Sequence, residues 1–165
     1  MAKLIHLSKV NVHKEAKKQK IKVAEFEGFP GAVRMGLHGG VAEHFKIQPD
    51  EPLPTTLDYV VAAIGGCMTG TAAGVLEARG VNADPENLSV QAEGRIENVD
   101  GKMLLTHVTV KYRMKVPKEK RASVERALEH HEELCAVSES VRRGITVEWK
   151  AEIEDAVAEP EKAAV

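Results

Sequence analysis

The sequence predicts an α+β domain in which antiparallel strands from both halves of the chain surround one buried central helix. From Thr55 to Arg79, Leu57, Val60, Val61, Ile64, Met68, Thr71 and Val75 recur three or four residues apart, the period of a helix. On either side, runs such as Ile21 to Phe26 and Met103 to Val116 alternate apolar and polar residues, the period of a strand. With 165 residues, 43% of them hydrophobic, the chain has enough apolar material for one core and too little length for two full domains.

In chain order, a basic segment carrying Lys14, Lys17, Lys18 and Lys20 runs into the strand Ile21 to Phe26, which Gly28, Pro30 and Gly31 stop in a turn. Ala32 to Met35 and Val41 to Ile47 read as two further strands of an N-terminal meander, separated by Gly39-Gly40. The central helix follows. Thr55 or Thr56 caps it, Asp58 faces the positive end of its dipole, and Gly80 ends it. Its uncharged run from Val60 to Val75 is shorter than the ~20 residues that cross a bilayer, so it reads as a core helix. Gly66, Gly70 and Gly74 lie on one face, each costing roughly 1 kcal/mol against alanine, so a second helix is expected to approach there.

Leu88 to Ile96 with Asn98-Val99-Asp100-Gly101 reads as a strand entering a hairpin. The return strand has Leu105, His107/Val108, Val110, Tyr112 and Met114, and Pro117 stops it. Lys118 to Leu134 is an amphipathic helix, Ser138 to Arg143 a short helical piece, and Ile145 to Ile153 a last strand after Gly144. These elements form a single domain over residues 1–154; the Ala/Glu/Lys-rich remainder at 155–165 reads as a flexible tail.

Acidic and basic residues nearly balance at a net charge of −2, so no global field favours nucleic acid or an anionic membrane. The N-terminus lacks the apolar stretch of a signal peptide, which places the expected site of action in the cytoplasm. In that reducing compartment a bond between the two cysteines, Cys67 and Cys135, is expected to be transient. Cys67 lies mid-helix, facing the interior or a pocket; Cys135 lies where an amphipathic helix ends. His130-His131 with Glu132, Glu133 and Cys135 is too small a set for a zinc site, and the glycines around His38 lack the Lys-Ser/Thr of a phosphate loop.

Three segments resemble the OsmC/Ohr family, over roughly Val41 to Ile153. Pro52 to Cys67 is similar to the family's Pro-x-x-acidic, Leu-rich, Ala-Ala-x-small-small-Cys helix. Leu104 to Tyr112 resembles the strand after its hairpin, and Glu133 to Ser138 its Cys-x-Val-Ser turn. The resemblance implies an intertwined homodimer with two pockets at the subunit boundary, consistent with the glycine face. It also implies a peroxidase of organic hydroperoxides: the Cys67 thiolate attacks the O–O bond, Cys135 resolves the sulfenic acid, and an external dithiol, with lipoylated protein the precedent, restores both. An apolar pocket beside Cys67 favours fatty or aromatic hydroperoxides, and no bound cofactor or metal is implied.

Family peroxidases pair the thiolate with an arginine held by a glutamate at the helix start. That position is Leu57 here, next to Asp58, and Lys46 corresponds to the arginine before the helix. Arg34 or Lys46 is therefore the candidate cation and Asp58 or Glu51 the candidate orienting acid. Cys135 is followed by Ala136 where many members have proline, so the chain is nearer the less-characterised OsmC-like branches than the established hydroperoxide reductases. The alternative expectation is a non-catalytic dimeric module that binds a small apolar ligand in the same pocket.

Overall fold

The computed structural model describes residues 2–16, 18 and 20–153; Lys17 and the expected tail at 155–165 lie outside the described residues. Strands β1 (Val10–Lys14), β2 (Lys22–Phe26) and β3 (Ala32–Met35) form an antiparallel meander, with Val12 opposite Ala24 and Ala24 opposite Val33. Helix α1 (Gly39–His44) and the long helix α2 (Thr56–Glu77) follow. The second half opens with a hairpin of β4 (Leu88–Val99) and β5 (Lys102–Met114). It closes with α3 (Arg121–Leu128), a 3-10 turn (His131–Leu134) and α4 (Ala136–Arg143). The two halves build separate antiparallel sheets, with α2 between them in the chain.

The start of α2 is fixed by a capping box. Thr55 Oγ1 accepts the Asp58 amide at 3.2 Å and the Asp58 carboxylate accepts the Thr55 amide at 2.6 Å, satisfying two donors that the helix leaves open. At the far end Gly80, with φ +64, turns the chain away. At 22 residues α2 is long and apolar enough to cross a membrane by length and composition, so the sequence argument from its shorter uncharged run does not decide the matter. Packing identifies its role in this fold: Ile64, Gly65, Met68, Ala72, Val75 and Leu76 are buried. Ala72 and Leu76 meet Val81, Leu88 and Val124 in one core cluster, while Ile64 and Met68 meet Cys135 in a second.

The hairpin lies against α2 through small residues. A methyl group added at Gly65 would come 2.9 Å from Ala92 Cβ, and one at Gly94 would run into Val61. Close approach therefore falls at Gly65 and Gly94, not on the expected face. Gly66, Gly70 and Gly74 are exposed, with nothing of this chain within 4 Å of such a methyl. The hairpin turn Asp100-Gly101 has φ of 50° and 81°, the left-handed pair that matches strand twist, and Asn98 Oδ1 accepts the Gly101 amide at 3.0 Å. Opposite Arg95 and Ile96 the pairing skips Thr106, so β5 carries a bulge and its alternation changes phase at Leu105/Thr106.

Three expected elements differ. Val41 to Ile47 is not a strand: Gly39–His44 forms α1, because Ala42, Glu43 and His44 suit a helix better than a pleat and the turn buries Ala42. The helix expected from Lys118 to Leu134 breaks after Leu128, whose carbonyl accepts a hydrogen bond at 2.6 Å from the His131 ring in place of continuing the helix. Ile145 to Ile153 has strand-like alternation but no ladder partner among the described residues, leaving Ile145, Val147, Trp149 and Ile153 exposed. Conversely, β1 forms within the segment read only as basic, because Val10 to Lys14 finds the free edge of β2.

Candidate functional site

Cys67 occupies the middle of α2, half-buried, with Ile64 one turn before it and Thr71 one turn after. Cys135 is fully buried and is the N-cap of α4, its sulfur accepting the Ser138 amide at 3.4 Å. The fold brings the two thiols together within one apolar cluster with Ile64, Met68, Val108, Val110, Tyr112 and Val137. Both are free.

Their environments push the two thiols apart. Cys67 is held below the ordinary cysteine range, first by a hydrogen bond from the Cys135 side chain and next by the Val137 amide; burial opposes this and the Ala136 amide adds to it. Cys135 is pushed up by its burial and by the adjacent Cys67, against amide donors from Ser138 and Val137. Ala136 and Val137 are the first two residues of α4, so Cys67 faces the positive end of that helix dipole. Cys67 is the thiol that ionises first, and Cys135 keeps its proton to donate.

The other candidate residues are arranged differently. Arg34 and Glu51 meet, but the guanidinium is shared: Nη2 donates to Glu51 Oε2 at 2.9 Å while Nε donates to Glu15 Oε2 at 2.9 Å. Glu51 is held below the usual carboxylate range chiefly by Arg34. Tyr59 Oη donates to the Arg34 carbonyl at 3.1 Å, tying β3 to α2. Lys46 follows α1 with φ +53 and is exposed. Neither Arg34 nor Lys46 is among the groups that lower the Cys67 thiol.

Asp58 is nine residues before Cys67 on α2, which puts it about half a turn round the helix and roughly 13 Å along it. The structure does not bring these two together. Burial disfavours the Asp58 charge, but hydrogen bonds from Thr55 and from His38, whose Nε2 lies 2.9 Å away, prevail and hold it below the usual range.

A recess of about 300 Å³ shares Ile64 and Val108 with the cluster that holds the thiols, with Leu105 and Val141 completing its apolar wall and His107 and Arg142 among its polar residues; neither cysteine lines it. Among the described residues no group of three or more His, Cys, Asp or Glu side chains is arranged to hold a metal. His130 instead faces Glu133 at 3.7 Å, and His131 is engaged by Tyr112. Sequence reasoning missed the α4 amides, although the helical pattern beginning just after Cys135 was a signal for them. It also missed Tyr112, which reads only as a strand residue.

Residues 48–150, well over half the chain, match the family model described as OsmC-like protein. No curated protein matches the sequence. Among solved structures, the organic hydroperoxide resistance protein OhrB of Bacillus subtilis superposes with a TM-score of 0.58 at 13% identity, covering 83% of this chain and 91% of that one. An OsmC-like protein from Mycoplasma pneumoniae gives 0.61 at 10% identity, covering 84% and 89%. An organic hydroperoxide resistance protein OsmC from Legionella pneumophila gives 0.58 at 14% identity, covering 85% and 92%. At such identities the structural likeness establishes the fold: antiparallel sheets with a central helix.

Proposed function

The chain belongs to the OsmC-like protein family, and from that premise we propose that it is a thiol-dependent peroxidase of oxidative-stress defence that reduces organic hydroperoxides through Cys67 and Cys135. The observation that carries this reading is the placement of two free thiols in one apolar cluster, Cys67 half-buried on α2 and Cys135 fully buried as the N-cap of α4. The hydroperoxide resistance proteins among the structural neighbours support the same direction.

The chemistry balances with an external dithiol. The Cys67 thiolate attacks the terminal peroxide oxygen, the O–O bond breaks, and the alcohol leaves with the hydroperoxide proton. Cys67 is left as a sulfenate, which takes up a proton. The Cys135 sulfur then displaces that oxygen, forming the disulfide and releasing water. A dithiol such as a dihydrolipoyl group reduces the disulfide and is itself oxidised to a disulfide. The cytoplasm supplies the reducing conditions that this last step needs.

Activation of Cys67 falls to the amides of Ala136 and Val137 and to the Cys135 thiol. Arg34 with Glu51, Asp58 with His38, and Lys46 stand outside the reaction of the single chain. The recess against Ile64 and Val108 receives the apolar tail of the hydroperoxide. A homodimer belongs to the same proposal, supported by the uncovered glycine face of α2 and by exposed Ile145, Val147 and Trp149 at strand spacing.

The test is to titrate reduced protein with cumene hydroperoxide while counting free thiols. Two thiols lost per peroxide, with consumption abolished in Cys67→Ser, is the expected result; consumption by Cys67→Ser at the wild-type rate rejects it. The recess also favours a second reading, a dimeric module that binds a small apolar ligand. A co-purified ligand, together with no Cys67–Cys135 disulfide in mass spectra after mild oxidation, selects that one.

A further inference from the structure

We propose that Tyr112 and His131 form a positioning pair that holds Cys135 for the disulfide-closing step; this rests on the redox reading of the two cysteines. The pair is defined by three contacts. His131 Nδ1 lies 2.6 Å from the Leu128 carbonyl, which can only accept, so Nδ1 carries the ring proton. His131 Nε2 is then an acceptor in the neutral ring, and the Tyr112 hydroxyl donates to it at 3.0 Å. The same hydroxyl is 3.5 Å from the Met68 carbonyl, the residue after Cys67. The two rings meet edge to face with centroids 5.4 Å apart.

One phenol thus stands at the junction of three elements: β5, which carries it, α2 immediately beyond Cys67, and the 3-10 turn that starts at His131. That turn leads straight into Cys135, whose amide donates to the Glu132 carbonyl at 3.1 Å. Disulfide geometry tolerates little error in the placement of the two sulfurs, and Cys135 sits on a short connection between α3 and α4 with no long element to steady it. The tie from Tyr112 to His131 supplies that steadiness. Burial and the neighbouring Cys135 push the Tyr112 hydroxyl up to about 12, so it remains a donor over the working range of pH.

The groups facing His131 are Tyr112 from β5 and the Leu128 carbonyl of α3. On its own turn His130 pairs with Glu133, and Glu132 pairs with Arg142 of α4 at 3.1 Å; the thiols of α2 and of the α4 cap complete the surroundings.

The experiment treats full-length reduced protein with one equivalent of cumene hydroperoxide, following thiol oxidation by stopped flow and disulfide by quenched mass spectrometry. Tyr112→Phe is expected to oxidise Cys67 at close to the wild-type rate and to close the disulfide about tenfold more slowly, the loss of one hydrogen bond. Sulfenic acid, trapped with dimedone, accumulates. His131→Gln retains an amide donor for Leu128 and an acceptor for Tyr112 and is expected to close at the wild-type rate, whereas His131→Ala, which has neither, closes as slowly as Tyr112→Phe.

In parallel, disulfide closure is driven with diamide, which is reduced to its hydrazine as the two thiols are oxidised. This arm needs no peroxidase activity. If the wild type ignores hydroperoxide yet Tyr112→Phe slows closure by diamide, the peroxidase reading fails and the positioning pair stands. Closure by Tyr112→Phe at the wild-type rate in both arms overturns the pair, as does an equal slowing of Cys67 oxidation and closure, or closure by His131→Ala at the wild-type rate.

Discussion

Cys67 and Cys135 share one apolar cluster, in which Cys135 is fully buried and its side chain lowers the half-buried Cys67 thiol. The consequence is measurable in solution. Alkylation of Cys67 by iodoacetamide is expected to rise with a midpoint below the ordinary thiol value of about 8.5, while Cys135 stays unmodified until the protein opens. Cys135→Ala removes that side chain, and the Cys67 midpoint moves up toward that ordinary value.

The same displacements fix the sign of the pH dependence of stability. A Cys67 thiol lowered in the fold contributes stability above its unfolded value, near 8.5, and loses it as pH falls through the lower folded value. Cys135, raised in the fold, contributes below its unfolded value and loses that contribution as pH rises through the folded one. Urea unfolding of Cys67→Ala, in which Cys135 is still raised by its burial, is therefore expected to lose stability from pH 7 to 9 relative to Cys135→Ala, whose remaining thiol lies near its ordinary value.

Packing against the hairpin predicts opposite outcomes for adjacent glycines. At Gly65 a methyl group would come 2.9 Å from Ala92 Cβ, both atoms on backbone that cannot swing aside, so Gly65→Ala is expected to cost about 1–3 kcal/mol in urea unfolding. Gly66→Ala meets nothing within 4 Å and gains helix propensity, so in the isolated chain it is neutral or stabilising by up to ~1 kcal/mol.

If two copies meet on the exposed glycine face, substitutions there act on assembly. Light scattering is expected to give twice the 18.0 kDa chain mass for the wild type and a shift toward the single chain for Gly70→Leu. A wild-type mass of one chain rejects the homodimer.

The candidate residues outside the thiol pair predict structural effects without chemical ones. Asp58→Ala breaks the capping box and is expected to cost about 1 kcal/mol of stability, with hydroperoxide consumption unchanged. Arg34→Gln leaves Glu15 and Glu51 facing each other without their shared cation, so it destabilises the N-terminal meander. The alkylation midpoint of Cys67 is expected to stay put. A shifted midpoint would return Arg34 to the reaction.

Local chemistry made the parts around the site legible. The period of Leu57 to Val75 gave α2, Thr55 or Thr56 marked its cap, and Asp100-Gly101 gave the hairpin turn. The features that escaped depend on tertiary partners. Val41 to Ile47 carries alternation weak enough for burial of Ala42 to decide in favour of a helix. The break after Leu128 comes from a ring nitrogen of His131 taking a backbone acceptor, which no propensity encodes. Ile145 to Ile153 has the pattern of a strand, but a strand needs an edge to pair with. At the site, both sulfurs were visible in the sequence. Groups that would lower Cys67 were sought among charged side chains, whereas in the fold they are the Cys135 side chain and then the amides of Val137 and Ala136.

The unequal exposure of the two cysteines gives any disulfide between them a direction. An incoming thiolate can reach the half-exposed sulfur of Cys67 but not the fully buried one of Cys135, so exchange begins at Cys67 with Cys135 as the leaving group. A leaving thiol raised above its ordinary value departs slowly and returns readily, and it stays within reach of the mixed disulfide it has just left. A monothiol is thus repeatedly expelled before a second molecule arrives. A dithiol carries its second sulfur with it and completes the release within one encounter, so in the proposed cycle the burial of a single side chain would favour dithiols over monothiols as electron donors.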